Sequence, residues 1–304
     1  MAIHTAVVGG GLAAYRARDT LRRCELFAAY TERDVSEAPG SSPEATRKWA
    51  DLLDSPEIEL VVLAVPPEHR VALSSAARAA GKAVLLEEGP PLSLAELDQL
   101  DEGGAEGKAA IGMVLPLRGL LALDQALTRV PWTTLACGGL LVSEYVPVPA
   151  PTPGPGRRPG AAPARARSVP QDVLGAVSPY LDLVCQLFGK PVTARAEGFE
   201  AGVAAGSVEF ASGARLSLAV TIRSVVGSVQ LRLTDTERSV HLQGRGLWVE
   251  DASRTVLYPV PSPGELRVSS YRDMARRLRS GPAAGDHSPQ STRLLADCLA
   301  LLWP

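Results

Sequence analysis

The chain has 304 residues, 46% of them hydrophobic and 21% charged, with a formal net charge of -2. Length beyond roughly 250 residues favours two cores over one, the composition excludes a disordered or collagen-like chain, and the near-neutral charge leaves no basic field for nucleic acid. Small molecules or proteins are therefore the expected partners, with no nucleic acid and no membrane.

The N-terminus, Met1-Ala2-Ile3-His4, leads straight into an apolar strand, without a basic and apolar leader, and no run long enough to cross a bilayer follows; a cytoplasmic location is expected. Cys24, Cys137, Cys185 and Cys298 are widely spaced with no C-x-x-C pair, which argues against a disulfide framework or a zinc knuckle. They are expected to be buried free thiols, and no metal site is expected.

In chain order, Thr5 to Val8 is a short apolar strand, Leu12 to Leu21 a helix and Glu25 to Tyr30 a second strand. A helix from Glu44 to Leu53 precedes Ile58 to Val65, a continuous apolar run suited to a parallel strand covered on both faces. His69 to Ala80 reads as a helix, Ala83 to Leu86 as a strand, Ser93 to Leu100 as a helix and Ala109 to Val114 as a strand. This alternation predicts a doubly wound parallel sheet. From Thr134 onward the texture turns to alternating strands, at 134–146, 192–200, 207–210, 215–222, 228–234 and 239–242, which suits an antiparallel sheet with one covered face. Pro147 to Pro170, dense in Pro, Gly, Ala and Arg, reads as a long loop serving as lid or spacer. Helices at 269–279 and 291–303 close the chain.

Gly9-Gly10-Gly11-Leu12-Ala13-Ala14 fits G-x-G-x-x-A. Gly9 makes the tight turn, Gly11 lets a diphosphate approach the backbone, and Ala14 allows close packing of helix on strand. Gly9, Gly11, Leu12 and Ala13 are the candidate phosphate-side residues, since a helix N-terminus offers N–H groups and a positive dipole end. About 20 residues beyond such glycines, an acidic residue binds the ribose of NAD. Here Tyr30 or Thr31 takes that position with Arg33 nearby, which leans toward the 2′-phosphate of NADP; Glu32 shifted by one would still serve NAD.

Asp51 to Pro67, then Ala79-Ala-Gly-Lys-Ala-Val-Leu-Leu-Glu-Glu-Gly89 followed by Leu92-Ser-Leu-Ala-Glu96, resembles the signature of the glucose-fructose oxidoreductase and inositol dehydrogenase (Gfo/Idh/MocA) family, and Tyr271 to Gly281 is similar to its closing segment. The resemblance implies an α/β chain: an N-terminal Rossmann domain, 1–118, and a C-terminal α+β domain, 119–304, with a mostly antiparallel open-faced sheet and final helices returning toward the first domain. It also implies NADP or NAD as cofactor, with Val65, Pro66, His69, Glu87 and Glu88 beside it, a homo-oligomer formed through the C-terminal sheet, and a small-molecule substrate, free or carrier-bound.

The likeness breaks at the chemistry. Where the family has the Lys of Glu-Lys-Pro this chain has Glu88, and Gly175 and Pro179 stand where its Asp and His are expected. Candidate proton carriers are Glu88, as an acid or as a carboxylate paired with Arg70 or Arg118; His69, at a strand's carboxyl end or merely solvated; and Tyr145 and Tyr180, as donors or core residues. Arg118, Tyr145 and Asp182 are the candidate substrate-binding residues, with Arg118 alternatively pinning the domains together. The thiazolinyl imine reductase branch, loosely similar at Leu115-Pro116 and Tyr180 to Val184, departs from the same Lys and His pattern, which suits reduction of a C=N or C=O bond. The alternative is a relative that has lost redox chemistry and acts as a non-redox enzyme or binding partner.

Overall fold

A computed structural model of the chain describes residues 2–24, 43–87, 92–102, 109–118, 120, 136–145, 171–200, 203–221, 223–280 and 289–303. Its tertiary packing divides the chain into two compact units, Met1–Val130 with Val260–Ala296, and Pro131–Pro259 with Asp297–Pro304. The first unit thus draws chain from both sides of the second.

In the first unit, β1 (Thr5–Gly9), β2 (Leu60–Ala64), β3 (Ala83–Leu86) and β4 (Ile111–Met113) form a parallel sheet in the order β1-β2-β3-β4. The strands are almost wholly buried apolar runs because helices cover both faces. One face carries Val7, Leu60, Val62, Leu85 and Val114 against α1 (Gly11–Arg23) and α6 (Pro263–Ser280), through Ala14, Ala17, Leu21, Tyr271, Met274 and Ala275. The other carries Val61, Leu63, Val84 and Leu86 against α2 (Pro43–Asp54), α3 (Pro67–Ala79) and α4 (Leu94–Glu102). Alternate residues of each strand go to opposite faces, so this is the doubly wound arrangement expected. The predicted strand Glu25–Tyr30 lies outside the described residues.

The second unit holds an eight-stranded sheet in the order β12-β11-β10-β9-β5-β8-β7-β6. Its strands are β5 (Cys137–Tyr145), β6 (Pro191–Glu200), β7 (Val203–Phe210), β8 (Arg215–Thr221), β9 (Arg223–Thr234), β10 (Arg238–Gln243), β11 (Gly246–Asp251) and β12 (Thr255–Pro259). Only β5 and β8 pair in parallel; the other neighbours are antiparallel. Burial alternates along β8, with Leu216, Leu218 and Val220 inward and Arg215 and Ser217 exposed. The helix α5 (Gln171–Phe188) packs on β5, and its Phe188 meets Phe210 edge to face, with ring centroids 5.3 Å apart.

Three elements are absent from the sequence-based expectation. Pro179 and Gly175, both poor helix formers, lie inside α5, where the buried Val177, Leu181, Val184 and Cys185 hold the helix in place. β11 and β12 are short, and their turn signals are single residues: Gly244 at φ +56° in the two-residue loop from β10 and Asp251, whose carboxylate accepts from the Ser253 and Arg254 N–H groups at 2.8 and 3.0 Å. Cys24, Cys185 and Cys298 are buried free thiols, as expected, but Cys137 is exposed because it opens β5 on the uncovered face. Among the described residues no helix is long and apolar enough to cross a membrane; the 147–170 loop lies outside them.

Truncation on the two faces of the second sheet should separate cleanly. Leu216→Ala, at a fully covered site, is expected to lower the unfolding free energy by about 2–5 kcal/mol, whereas Leu257→Ala, 58% exposed, should change it by less than about 0.5 kcal/mol. Urea denaturation of both variants measures the difference, and similar losses would mean that the buried face does not carry the core.

Candidate functional site

The carboxyl ends of the four parallel strands lie side by side, since Gly9 is in register with Ala64, Leu63 with Leu86, and Leu86 with Met113. Beyond β3 and β4 the alignment continues through Glu87 N–H to Leu63 O and Val114 N–H to Leu86 O, both 2.9 Å. Crevices outside such ends are where open α/β sheets bind ligands.

At β1 the backbone turns through Gly9, at φ +118°, where a Cβ would stand 2.0 Å from the Ala64 carbonyl oxygen. Only glycine permits both the dihedral and the approach. Gly10 is extended, and Gly11, at φ +67° with open space around it, begins α1. The first turn of α1 has no side-chain cap and no acidic residue. Gly10, Gly11 and Leu12 are exposed, Ala13 is half-buried and Ala14 is fully buried in the helix–sheet core. The backbone is thus arranged to present N–H groups and the positive helix end to an anion.

At β2, Val65 is buried and Pro66 and Pro67 open α3, with Pro67 in the first turn, where its missing N–H leaves no bond unmade. His69 is half-buried, its N–H donating to Pro66 O at 3.1 Å. Arg70 is buried; burial lowers its guanidinium pKa, and Glu96, Glu68 and Glu87 oppose that shift.

At β3, the Glu87 side chain points to the α1 and α6 side, where the Arg267 guanidinium donates to one carboxylate oxygen and the Tyr271 hydroxyl donates to the other at 2.7 Å. All three side chains are buried. Burial, with the Glu87 carboxylate beside it, holds the Tyr271 phenol well above its ordinary pKa, so it remains a donor. The Glu87 carboxylate is therefore committed beneath the edge. Arg267 and Tyr271 were not singled out from sequence; their i, i+4 spacing puts them on one helix face, but nothing in the sequence pairs them with residue 87.

Arg118, which follows β4, is buried and donates to the Ser291 hydroxyl and, at 2.8 Å, to its carbonyl. These contacts tie it within the first unit. Tyr145, Tyr180 and Asp182 belong to the second unit: Tyr145 ends β5 in register with Arg223, and Tyr180, half-buried, and Asp182, buried, lie on α5. Gly175 and Pro179 are on the same helix. Thr31, Arg33 and Glu88 lie outside the described residues.

Sequence comparison finds no matching family model and no matching curated protein. Structural comparison finds many matches of the Gfo/Idh/MocA dehydrogenase type. The UDP-N-acetylglucosamine 3-dehydrogenase GnnA of Acidithiobacillus ferrooxidans superimposes with a TM-score of 0.77 at 16% identity, over 100% of this chain and 97% of that one. A levoglucosan dehydrogenase in complex with NADH gives 0.71 at 16% identity, over 99% and 96%. The biliverdin reductase of Synechocystis sp. PCC 6803, in complex with biliverdin and NADP+, gives 0.67 at 17% identity, over 99% of each chain. The chain therefore has the fold that its sequence resemblance implies.

Two pairs of substitutions probe this edge. Gly9→Ala should destabilise by more than about 2 kcal/mol, since it combines a forbidden dihedral with a backbone clash, while Gly11→Ala should cost only about 1–2 kcal/mol; equal losses in urea denaturation would remove the special role of Gly9. For the buried cluster, Glu87→Ala removes one partner of a buried ion pair and should cost about 3–5 kcal/mol. Because the folded pKa of Tyr271 is raised, its contribution is complete below the unfolded value of about 10 and is lost as pH rises beyond it toward the folded value. Tyr271→Phe should flatten that alkaline decline in stability, as pH-dependent thermal melts would record.

Proposed function

We propose that the protein is an NAD(P)-dependent oxidoreductase that reduces a C=N or C=O bond of a small molecule in a biosynthetic pathway. The observation that carries this reading is the Gly9 to Ala14 turn: two positive-φ glycines, a close strand approach, and an exposed uncapped helix start at the carboxyl edge of a doubly wound sheet. These residues fit a dinucleotide diphosphate, which needs backbone N–H groups and no side chain in the way. Neighbours of the same fold carry NADH or NADP+.

In this reading the amides of residues 10–12 hold the diphosphate. Leu12 and Ala13 flank it, and Val65, Pro66 and His69 bound the coenzyme at the end of β2. Thr31 and Arg33 are assigned to the ribose end, with a preference for NADP. The coenzyme, when bound, supplies the hydride. The proton is assigned to one of Glu88, His69, Tyr145 or Tyr180, and substrate contacts to Tyr145, Asp182 and Arg118, the last only where its Ser291 contacts are given up. An imine nitrogen is already basic, so a C=N substrate asks least of the proton donor. Self-association through the uncovered face of the eight-stranded sheet completes the proposal.

A second reading, a fold that has lost its redox chemistry, is favoured by one observation. Gly175 and Pro179, at the positions where the family resemblance expects Asp and His, carry no proton-transferring group, and each missing general acid or base typically forfeits about 10²–10⁴-fold in rate. Titration with NADPH and NADH, followed by hydride-transfer assays on cyclic imines and ketones, separates the two. Saturable binding with turnover is the expected outcome. Binding without turnover selects the second reading, and no saturation at millimolar coenzyme removes the first.

A further inference from the structure

Glu87 is where β3 leaves the sheet, its N–H still bonded to Leu63 O at 2.9 Å. Strand alternation sends Leu85 and Glu87 to the face covered by α1 and α6, and Leu86 to the opposite face. The carboxylate is clamped between Arg267 and Tyr271, about 180 residues further along the chain. A buried ion pair is seldom more stabilising than apolar residues of the same volume, so overall stability does not by itself account for a charged clamp at this point. Its geometric effect is specific: it locks the chain where it crosses the carboxyl edge. The same Arg267 walls a cleft of about 480 Å³ beside Tyr15 and Asp19, so the clamp also borders the helix that follows the glycine turn.

A dinucleotide on a doubly wound sheet has its diphosphate at the first βα turn and its two nucleosides on either side, across the carboxyl ends of the strands. In the coenzyme reading, the nicotinamide half takes the side of β2, β3 and β4. We infer that Glu87, Arg267 and Tyr271 form a positioning cluster that holds the exit of β3 in place for the nicotinamide half of the coenzyme without touching it. This rests on the coenzyme reading above.

The test uses Tyr271→Phe, which keeps the ring and removes one bond to Glu87, and Arg267→Lys, which keeps the charge and removes the guanidinium fork. Dissociation constants are measured for NADPH and for 2′-phospho-ADP-ribose, which lacks nicotinamide, and likewise for NADH and ADP-ribose, with a thermal melt of each variant. Affinity for the complete coenzyme should fall about five- to tenfold, less than the full worth of a bond to a charged group because the cluster does not touch the ligand, while the fragment stays within about twofold. A purely structural role would lower the melting temperature and weaken both ligands in proportion. Proportional weakening, or no change in either, overturns the inference and leaves the coenzyme reading standing. If the unaltered protein binds neither ligand, the coenzyme reading falls and the inference with it. Should Tyr271→Phe fail to fold, Arg267→Lys reports the same split.

Discussion

β1 and β2 run so close at their carboxyl ends that a single methyl group at Gly9 would reach within 2.0 Å of the Ala64 carbonyl oxygen. That approach sets where β1 can stop, and therefore where α1 begins and which way its N-terminus points. The register from Gly9 to Ala64 is the first link in an alignment carried by Leu63 to Leu86 and Leu86 to Met113. A shift at the first link would displace every residue at the edge, because parallel pairing leaves no turn to absorb it.

Buried charges finish what the register starts. Arg78 donates to the carbonyls of Leu100 and Ala109 at 2.9 and 3.0 Å, and the Lys82 ammonium to that of Ser55. Arg118 holds Ser291. In each case a long side chain with an apolar stem donates to a backbone carbonyl. The cluster of Glu87, Arg267 and Tyr271 differs in kind, since it joins a strand exit to a helix by two side-chain bonds to one carboxylate and lies directly beneath the candidate site.

The second unit follows another logic. Its sheet has one buried face and one open face, so alternation rather than continuous apolarity marks its strands. Asp235 and Asp251 close turns with their own carboxylates, each accepting from N–H groups two and three residues on. The uncovered face carries Gly139, Ser217 and Ser207 side by side in register, with Leu141 42% exposed near its centre.

Periodicity and turn chemistry by themselves determined the parallel strands, their helices, the G-x-G-x-x-A turn and most of the second sheet, because each is specified by residues within a few positions of one another. They failed at α5, where tertiary burial overrides Gly175 and Pro179, and at β11 and β12, whose turns hang on Gly244 and Asp251. Only the tertiary structure decided which charges were committed: that Glu87 turns inward to Arg267 and Tyr271, that Arg118 binds Ser291, and that α6 closes over the first sheet. Those partners lie some 170 to 180 residues apart, and whether a carboxylate or guanidinium faces solvent, ligand or another charge depends on which distant segment folds against it.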